Sequence, residues 1–136
     1  MAVSIPTLRV KPGCAFDRIA PGGFRILAAL DAATKVLGQD LTLTAGTNDH
    51  TTGRHPLGEA YDLSVQTLTP AQIVRIVAFL RQTLGARFTV FYESPVAPSD
   101  TQLAAVSLVN KDASGPHLHL QIKKGTEYPP EGLVNA

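Results

Sequence analysis

Apolar positions recur at three- and four-residue spacing from Phe24 to Leu37, at Phe24, Ile26, Leu27, Leu30, Ala33, Val36 and Leu37. That spacing lines one face of a helix, and Gly38 follows as a C-terminal stop, so the pattern predicts a first helix over 24–37. Leu41-Thr42-Leu43-Thr44-Ala45 alternates and is rich in β-branched residues, which predicts a strand. Ala60 to Val65 predicts a second strand. Thr69, Pro70 and Gln72 make a helix start, with an N-cap hydroxyl, proline at the first helical position and a capping-box glutamine. Ile73, Val74, Ile76, Val77, Phe79, Leu80 and Leu84 continue that helix until Gly85 ends it. Arg87 to Tyr92 predicts a third strand, Gln102 to Val109 a short one and His117 to Lys123 the last. Prolines, glycines and short polar residues mark turns. They make 1–22 an irregular lead-in, 94–101 a loop, 110–116 a link and 124–136 a coil tail. The expectation is one α+β domain over 1–136, with two helices packed on a small antiparallel sheet.

Composition narrows this picture without changing it. The chain has 136 residues, 44% hydrophobic and 17% charged, which suits a folded domain with its own core. A net charge of +1 gives no field suited to nucleic acid or an acidic membrane surface. The single Cys14 excludes an internal disulfide framework and any cysteine-built metal site. No stretch approaches the ~20 apolar residues of a membrane span. The start, Met1 to Pro6, lacks the basic and apolar runs of a signal peptide. The expectation is a protein that stays in the cytoplasm until something else delivers it.

The chemistry lies in the histidines. All four fall in two segments, His50-Thr-Thr-Gly-Arg54-His55-Pro-Leu-Gly58-Glu-Ala-Tyr-Asp62-Leu63 and Gly115-Pro-His117-Leu-His119-Leu-Gln121. Side chains in a strand alternate faces. His117, His119 and Gln121 therefore share one face, and Leu118, Leu120 and Ile122 turn to the core. In the second strand Asp62 and Ser64 share a face. If the two strands are neighbours, Asp62 and the histidines converge, with His55 arriving from the loop and Gly58 allowing a sharp turn. Imidazoles and a carboxylate are usual zinc ligands, and catalytic zinc takes three of them plus water. On this reading His55, Asp62 and one of the later histidines hold Zn²⁺.

His55-Pro-Leu-Gly58-Glu-Ala60-Tyr-Asp62 resembles the His-x-x-Gly-x-Ala-x-Asp signature of the peptidase M15 family, the zinc D-Ala-D-Ala carboxypeptidases and related phage endolysins. Thr44 to His50 resembles the strand end and loop of small phage-type members. Pro116-His117-Leu118-His119 resembles the His-x-His of the wider group that includes lysostaphin-type peptidases and the hedgehog signalling domain. The resemblance implies a hedgehog/D-Ala-D-Ala peptidase-like fold with zinc held by His55, Asp62 and His119, and His117 as the catalytic neighbour. It implies hydrolysis of an amide bond in the stem peptide or cross-link of bacterial peptidoglycan, as carboxypeptidase or endopeptidase. The expectation is then a protein that is cytoplasmic until released, or virion-associated or secreted by another route, and that acts in cell-wall degradation.

The sequence departs from the family pattern at several points. Gly53 stands where members usually have Ser, which leaves Thr51 or Thr52 to brace the loop. Pro116 stands where some members place a glutamate base, so that role falls to His117 or to a residue such as Glu93. The arginine that many members use for a substrate carboxylate is missing from 41–48. Arg54, His50 and Glu93 are then the candidates for substrate contact, with His50 equally suited to bracing the loop. Two other readings compete. His117-Leu-His119-Leu-Gln121 also resembles the His-x-His-x-Gln of histidine-triad nucleotidyl transferases, which gives His55 and Asp62 no role. A non-catalytic metal-binding or phage structural module of the same fold is the other.

Overall fold

In the computed structural model, which describes residues 5–47 and 55–123, the order of elements is β1 (Leu8–Val10), α1 (Pro21–Leu37), β2 (Leu41–Ala45), a 3₁₀ turn (His55–Leu57), β3 (Ala60–Ser64), α2 (Pro70–Leu84), β4 (Phe88–Ser94), α3 (Thr101–Ala104), β5 (Ser107–Val109) and β6 (His117–Ile122). The fold is mixed α+β. The expected tail over 124–136 lies outside the described residues.

Both predicted main helices form, and their ends follow from local chemistry. Gly38, at φ 72°, closes α1 by donating its N–H to the Thr34 carbonyl, as a left-handed C-terminal residue should. The start lies earlier than the apolar spacing suggests, at Pro21 rather than Phe24. Pro21, Gly22 and Gly23 look like turn formers, but Pro is well suited to the first helical position. The glycines let the helix come close: a Cβ on Gly23 would lie 2.5 Å from the Gly58 carbonyl and 2.8 Å from the Tyr61 hydroxyl. At α2 the capping box is complete, with Thr69 Oγ1 accepting from the Gln72 N–H at 3.2 Å and Gln72 Oε1 accepting from the Thr69 N–H at 2.9 Å. Such caps contribute about 1 kcal/mol.

One sheet takes all six strands, in the order β1-β2-β3-β6-β4-β5. Its centre is antiparallel as expected, whereas both edges are parallel pairs, β1 with β2 and β4 with β5. The sheet is therefore mixed. Parallel neighbours need a crossover; α1 provides it for the first pair and α3 for the second. The lead-in is not wholly irregular, since β1 lies within it. The strand expected over 102–109 divides into α3 and β5. Asp100 Oδ1 accepts the Leu103 N–H at 2.9 Å, which starts a helical turn and buries Leu103 before the chain extends again at Ser107. Edge strands of three residues are too short for alternation to reveal.

The sheet has two unlike faces. On one, Leu43, Tyr61, Leu63, Val90, Leu118, Leu120 and Ile122 pack beneath Ile26 and Leu30 of α1 and Ile76, Val77 and Leu80 of α2. Burial of this apolar surface is the main stabilising term, at roughly 25 cal/mol per Å². Among the described residues no helix lies across the other face, which carries the polar residues of β3, β4 and β6. No helix among the described residues is long and apolar enough to cross a membrane.

Gly58 joins the turn to β3 with φ 71°, a conformation that costs L-residues roughly 1–2 kcal/mol. A side chain there would also meet the carbonyl carbon of Arg18 at 2.8 Å and Ile19 Cα at 2.9 Å. Gly58→Ala should lower the unfolding free energy by about 1–3 kcal/mol in urea denaturation. An unchanged midpoint would show that the close approach is not required.

Candidate metal centre

β6 lies between β3 and β4, and register places the strand residues of the site. His119 is opposite Asp62 on one side and Phe91 on the other, while His117 is opposite Ser64 and Glu93. The 3₁₀ turn brings His55 over the same spot. These side chains floor an open cleft of about 660 Å³, whose walls include Lys11, Thr44, Asn110 and Asp112.

Asp62 Oδ1 is the hub. His119 Nδ1 is 3.0 Å from it, His55 Nε2 3.5 Å and His117 Nε2 3.6 Å. Each imidazole turns its other nitrogen to an acceptor. His55 Nδ1 meets the Gly46 carbonyl at 2.8 Å, His117 Nδ1 the Gly115 carbonyl at 3.1 Å, and His119 Nε2 the Gln121 Oε1 at 2.7 Å. A neutral imidazole has one N–H and one lone pair. Donating outward therefore leaves each inward nitrogen with a lone pair facing a carboxylate oxygen. Lone pairs aimed at one another in a buried site need a cation between them, either shared protons or a metal ion.

The donors fit a metal. A four-coordinate ion with bonds of about 2.0–2.1 Å holds its donors about 3.3 Å apart, close to the separations around Asp62. His55, Asp62 and His119 form a cluster that can hold a metal ion. Glu93, His117 and His119 form a second such group, sharing His119. The first is the better buried, with His55 5% and Asp62 7% exposed, so water competes less for its donors. Cys14 belongs to neither group, and burial pushes its thiol up.

Without a metal, protons fill the same role. Burial opposes ionisation of Asp62, but the hydrogen bonds from His119 and His55, together with the charges of His55 and His117, outweigh it and hold the carboxyl well below its usual range. Burial likewise opposes protonation of His119, yet the bonds to Asp62 and Gln121 and the Asp62 and Glu93 charges raise its pKa.

The support behind the site comes from the lead-in. The Ala15 carbonyl accepts the Thr47 N–H at 2.8 Å, and Thr47 Oγ1 accepts the Asp17 N–H at 3.0 Å. The Ala20 N–H bonds the Gly58 carbonyl at 3.1 Å, which also accepts the Tyr61 hydroxyl at 3.1 Å. Burial pushes that phenol up to about 12, so it stays a donor. Phe91 stacks on His119 with ring centroids 5.1 Å apart and fixes the imidazole plane.

His55, Asp62, His117, His119 and Glu93 are thus all brought together. The last contacts His117 directly, Nε2 to Oε1 at 2.8 Å. Arg54 and His50 lie outside the described residues, as do Thr51, Thr52 and Gly53. Gln121 was foreseeable from strand alternation as a neighbour of the histidines, though not as the partner of His119. Gly46, Gly115 and Asn110 carry no sequence signal, because two act through backbone carbonyls and the third through a fold-dependent contact.

The protonation pattern predicts opposite pH effects with and without metal. In the metal-free protein the raised His119 pKa contributes stability that is fully present below the ordinary value of 6.5 and is lost as pH rises through the folded pKa. The depressed Asp62 pKa contributes stability above 3.8 that is lost as pH falls through the folded value. A bound divalent ion must displace the His119 proton. The rise in melting temperature on adding Zn²⁺ should therefore be larger at pH 8 than at pH 6. An equal or smaller rise at pH 8 would contradict this coupling.

No protein-family model matches the chain, and comparisons with curated proteins and with solved structures find no match either.

Proposed function

We propose that this chain is a zinc-dependent peptidase that hydrolyses an amide bond in bacterial cell-wall peptidoglycan. The observation that carries the proposal is the convergence of His55, Asp62 and His119 at the floor of an open cleft, with His117 beside them. The sequence resemblance to the M15 peptidases gives those four residues these same roles.

His55, Asp62 and His119 are the residues that would hold zinc. When bound, zinc supplies a Lewis acid that polarises the amide carbonyl and makes water nucleophilic near neutral pH. Everything else falls to the chain's own groups. Gly46 and Gln121 orient two of the ligands, and such outer contacts tune metal affinity and ligand basicity. His117 has Nδ1 committed to Gly115 and Nε2 facing Glu93 Oε1 at 2.8 Å in the lining of the cleft, where the pair can take a proton from the attacking water and return it to the departing nitrogen. The transferase reading leaves His55 and Asp62 idle, although they meet His119 at its centre.

Zymography on purified cell walls tests the proposal. Wild-type protein with zinc should clear them, chelation should stop clearing, and added zinc should restore it. His117→Ala should lower the rate roughly 10²–10⁴-fold, the usual contribution of general acid–base catalysis. Equal clearing by wild type and His117→Ala would sink the role of His117. Wall binding without clearing by zinc-loaded wild type would establish the non-catalytic module instead.

A further inference from the structure

The charges around the cleft are unevenly spread. Lys11 stands on one flank, just past β1, and Glu93 and Asp112 stand on the other, on β4 and in the link after β5. The candidate metal centre lies between these flanks, because the strand order is β1-β2-β3-β6-β4-β5. Backbone hydrogen bonds anchor both sides. The Lys11 N–H donates to the Leu43 carbonyl at 2.9 Å, and the Lys11 carbonyl accepts the Cys14 N–H at 3.0 Å. Opposite, the Asp112 N–H donates to Asn110 Oδ1 at 3.0 Å, and the Asn110 N–H donates to the Ser94 carbonyl at 2.9 Å. Lys11 and Asp112 are both exposed, and among the described residues neither side chain has an ion-pair partner. Glu93, by contrast, is engaged by His117.

Fixed charges of opposite sign on two flanks favour a ligand of the complementary polarity. Strands lie about 4.8 Å apart, so the Lys11 backbone is roughly 10 Å from that of Asp62, two strands away. The four-carbon stem of lysine spans about half of that distance. The gap left is about 5 Å, or one to two residues of extended peptide at ~3.3 Å each. On the other side the link carrying Asp112 leaves β5, two strands from β6. With a short side chain there, roughly 10 Å must be filled, about two to three residues. We propose that Lys11 and Asp112 are specificity-determining residues that orient a dipolar peptide across the sheet. Lys11 takes a carboxylate close to the scissile bond on the β2 flank, and Asp112 takes an ammonium farther off on the β5 flank. The inference rests on the peptidase reading for the bond that is cut, whereas the charge preference is a property of binding alone.

Four versions of one peptide test it: Lys-D-Ala-D-Ala, its C-terminal amide, its form acetylated at both amines, and the form blocked at both ends. Binding is measured by calorimetry on the zinc-loaded full chain carrying His117→Ala, which keeps the peptide intact. Blocking the carboxylate or the amines should each weaken binding roughly 3–10-fold, as exposed charge pairs do. Raising the salt to about 1 M should remove most of that difference. Lys11→Met should abolish the preference for acid over amide and keep the preference for amine over acetyl; Asp112→Asn should do the reverse. Lys11→Arg and Asp112→Glu, which retain the charges, should keep both preferences. Unfolding midpoints should be unchanged in all four variants. If Lys11→Met or Asp112→Asn weakens charged and blocked peptides alike, or leaves both preferences in place, the proposal is overturned. A parent chain without the two preferences overturns it as well. A wild type that leaves the charged peptide uncut while the binding pattern holds would sink the peptidase reading and leave the orientation standing.

Discussion

A carboxylate ringed by imidazoles is the constraint on which the rest of this structure turns. Asp62 is almost fully buried and faces three histidine nitrogens within 3.6 Å. An ionised carboxylate in that position is costly unless positive charge lies beside it. The outward hydrogen bonds to Gly46, Gly115 and Gln121 settle which nitrogen of each ring can face it. That wiring is what lets His55, Asp62 and His119 hold a cation.

The fold supplies the rigidity such a site requires. Three of the converging residues stand on paired central strands, where register fixes their spacing. Beneath them the fully buried Tyr61, Leu63, Leu118 and Leu120 lock those strands to the helices. His55 alone comes from a turn, and that turn is held by the Gly58 contacts to Ala20 and Tyr61 and by the Gly46 contact to His55 itself. The lead-in before α1 thus does structural work: it is the strap behind the candidate metal centre.

Most of the site was legible in the sequence because it is written in periods and residue types. Alternation in His117 to Ile122 separated imidazoles from core residues, and the structure has the same separation. Pairing of Ala60–Ser64 with that strand was only a conditional step, since nothing local encodes which strands are neighbours. The turn that delivers His55 rests on the glycine at 58, whose φ of 71° agrees with the sharp bend inferred for it. What escaped the sequence was long-range or backbone-mediated. The parallel edges of the sheet arise from crossovers, Asn110 reaches Glu93 only through the fold, and the carbonyls of Gly46 and Gly115 have no residue-specific signature. The helix start at Pro21 was hidden for another reason: Gly22 and Gly23 have the composition of a turn but serve close packing.

On the proposed reading two jobs share one small patch. Holding an ion would belong to His55, Asp62 and His119, which can form a metal-holding cluster, whereas moving a proton would fall to His117, whose nearest carboxylate is Glu93 rather than Asp62. The division is sharpest in the metal content of two variants, measured by equilibrium dialysis against Zn²⁺ on folded protein. Wild type and His117→Ala should each bind one ion per chain, and Asp62→Ala should bind none. Stoichiometric zinc in Asp62→Ala, or its loss in His117→Ala, would contradict the account at its centre.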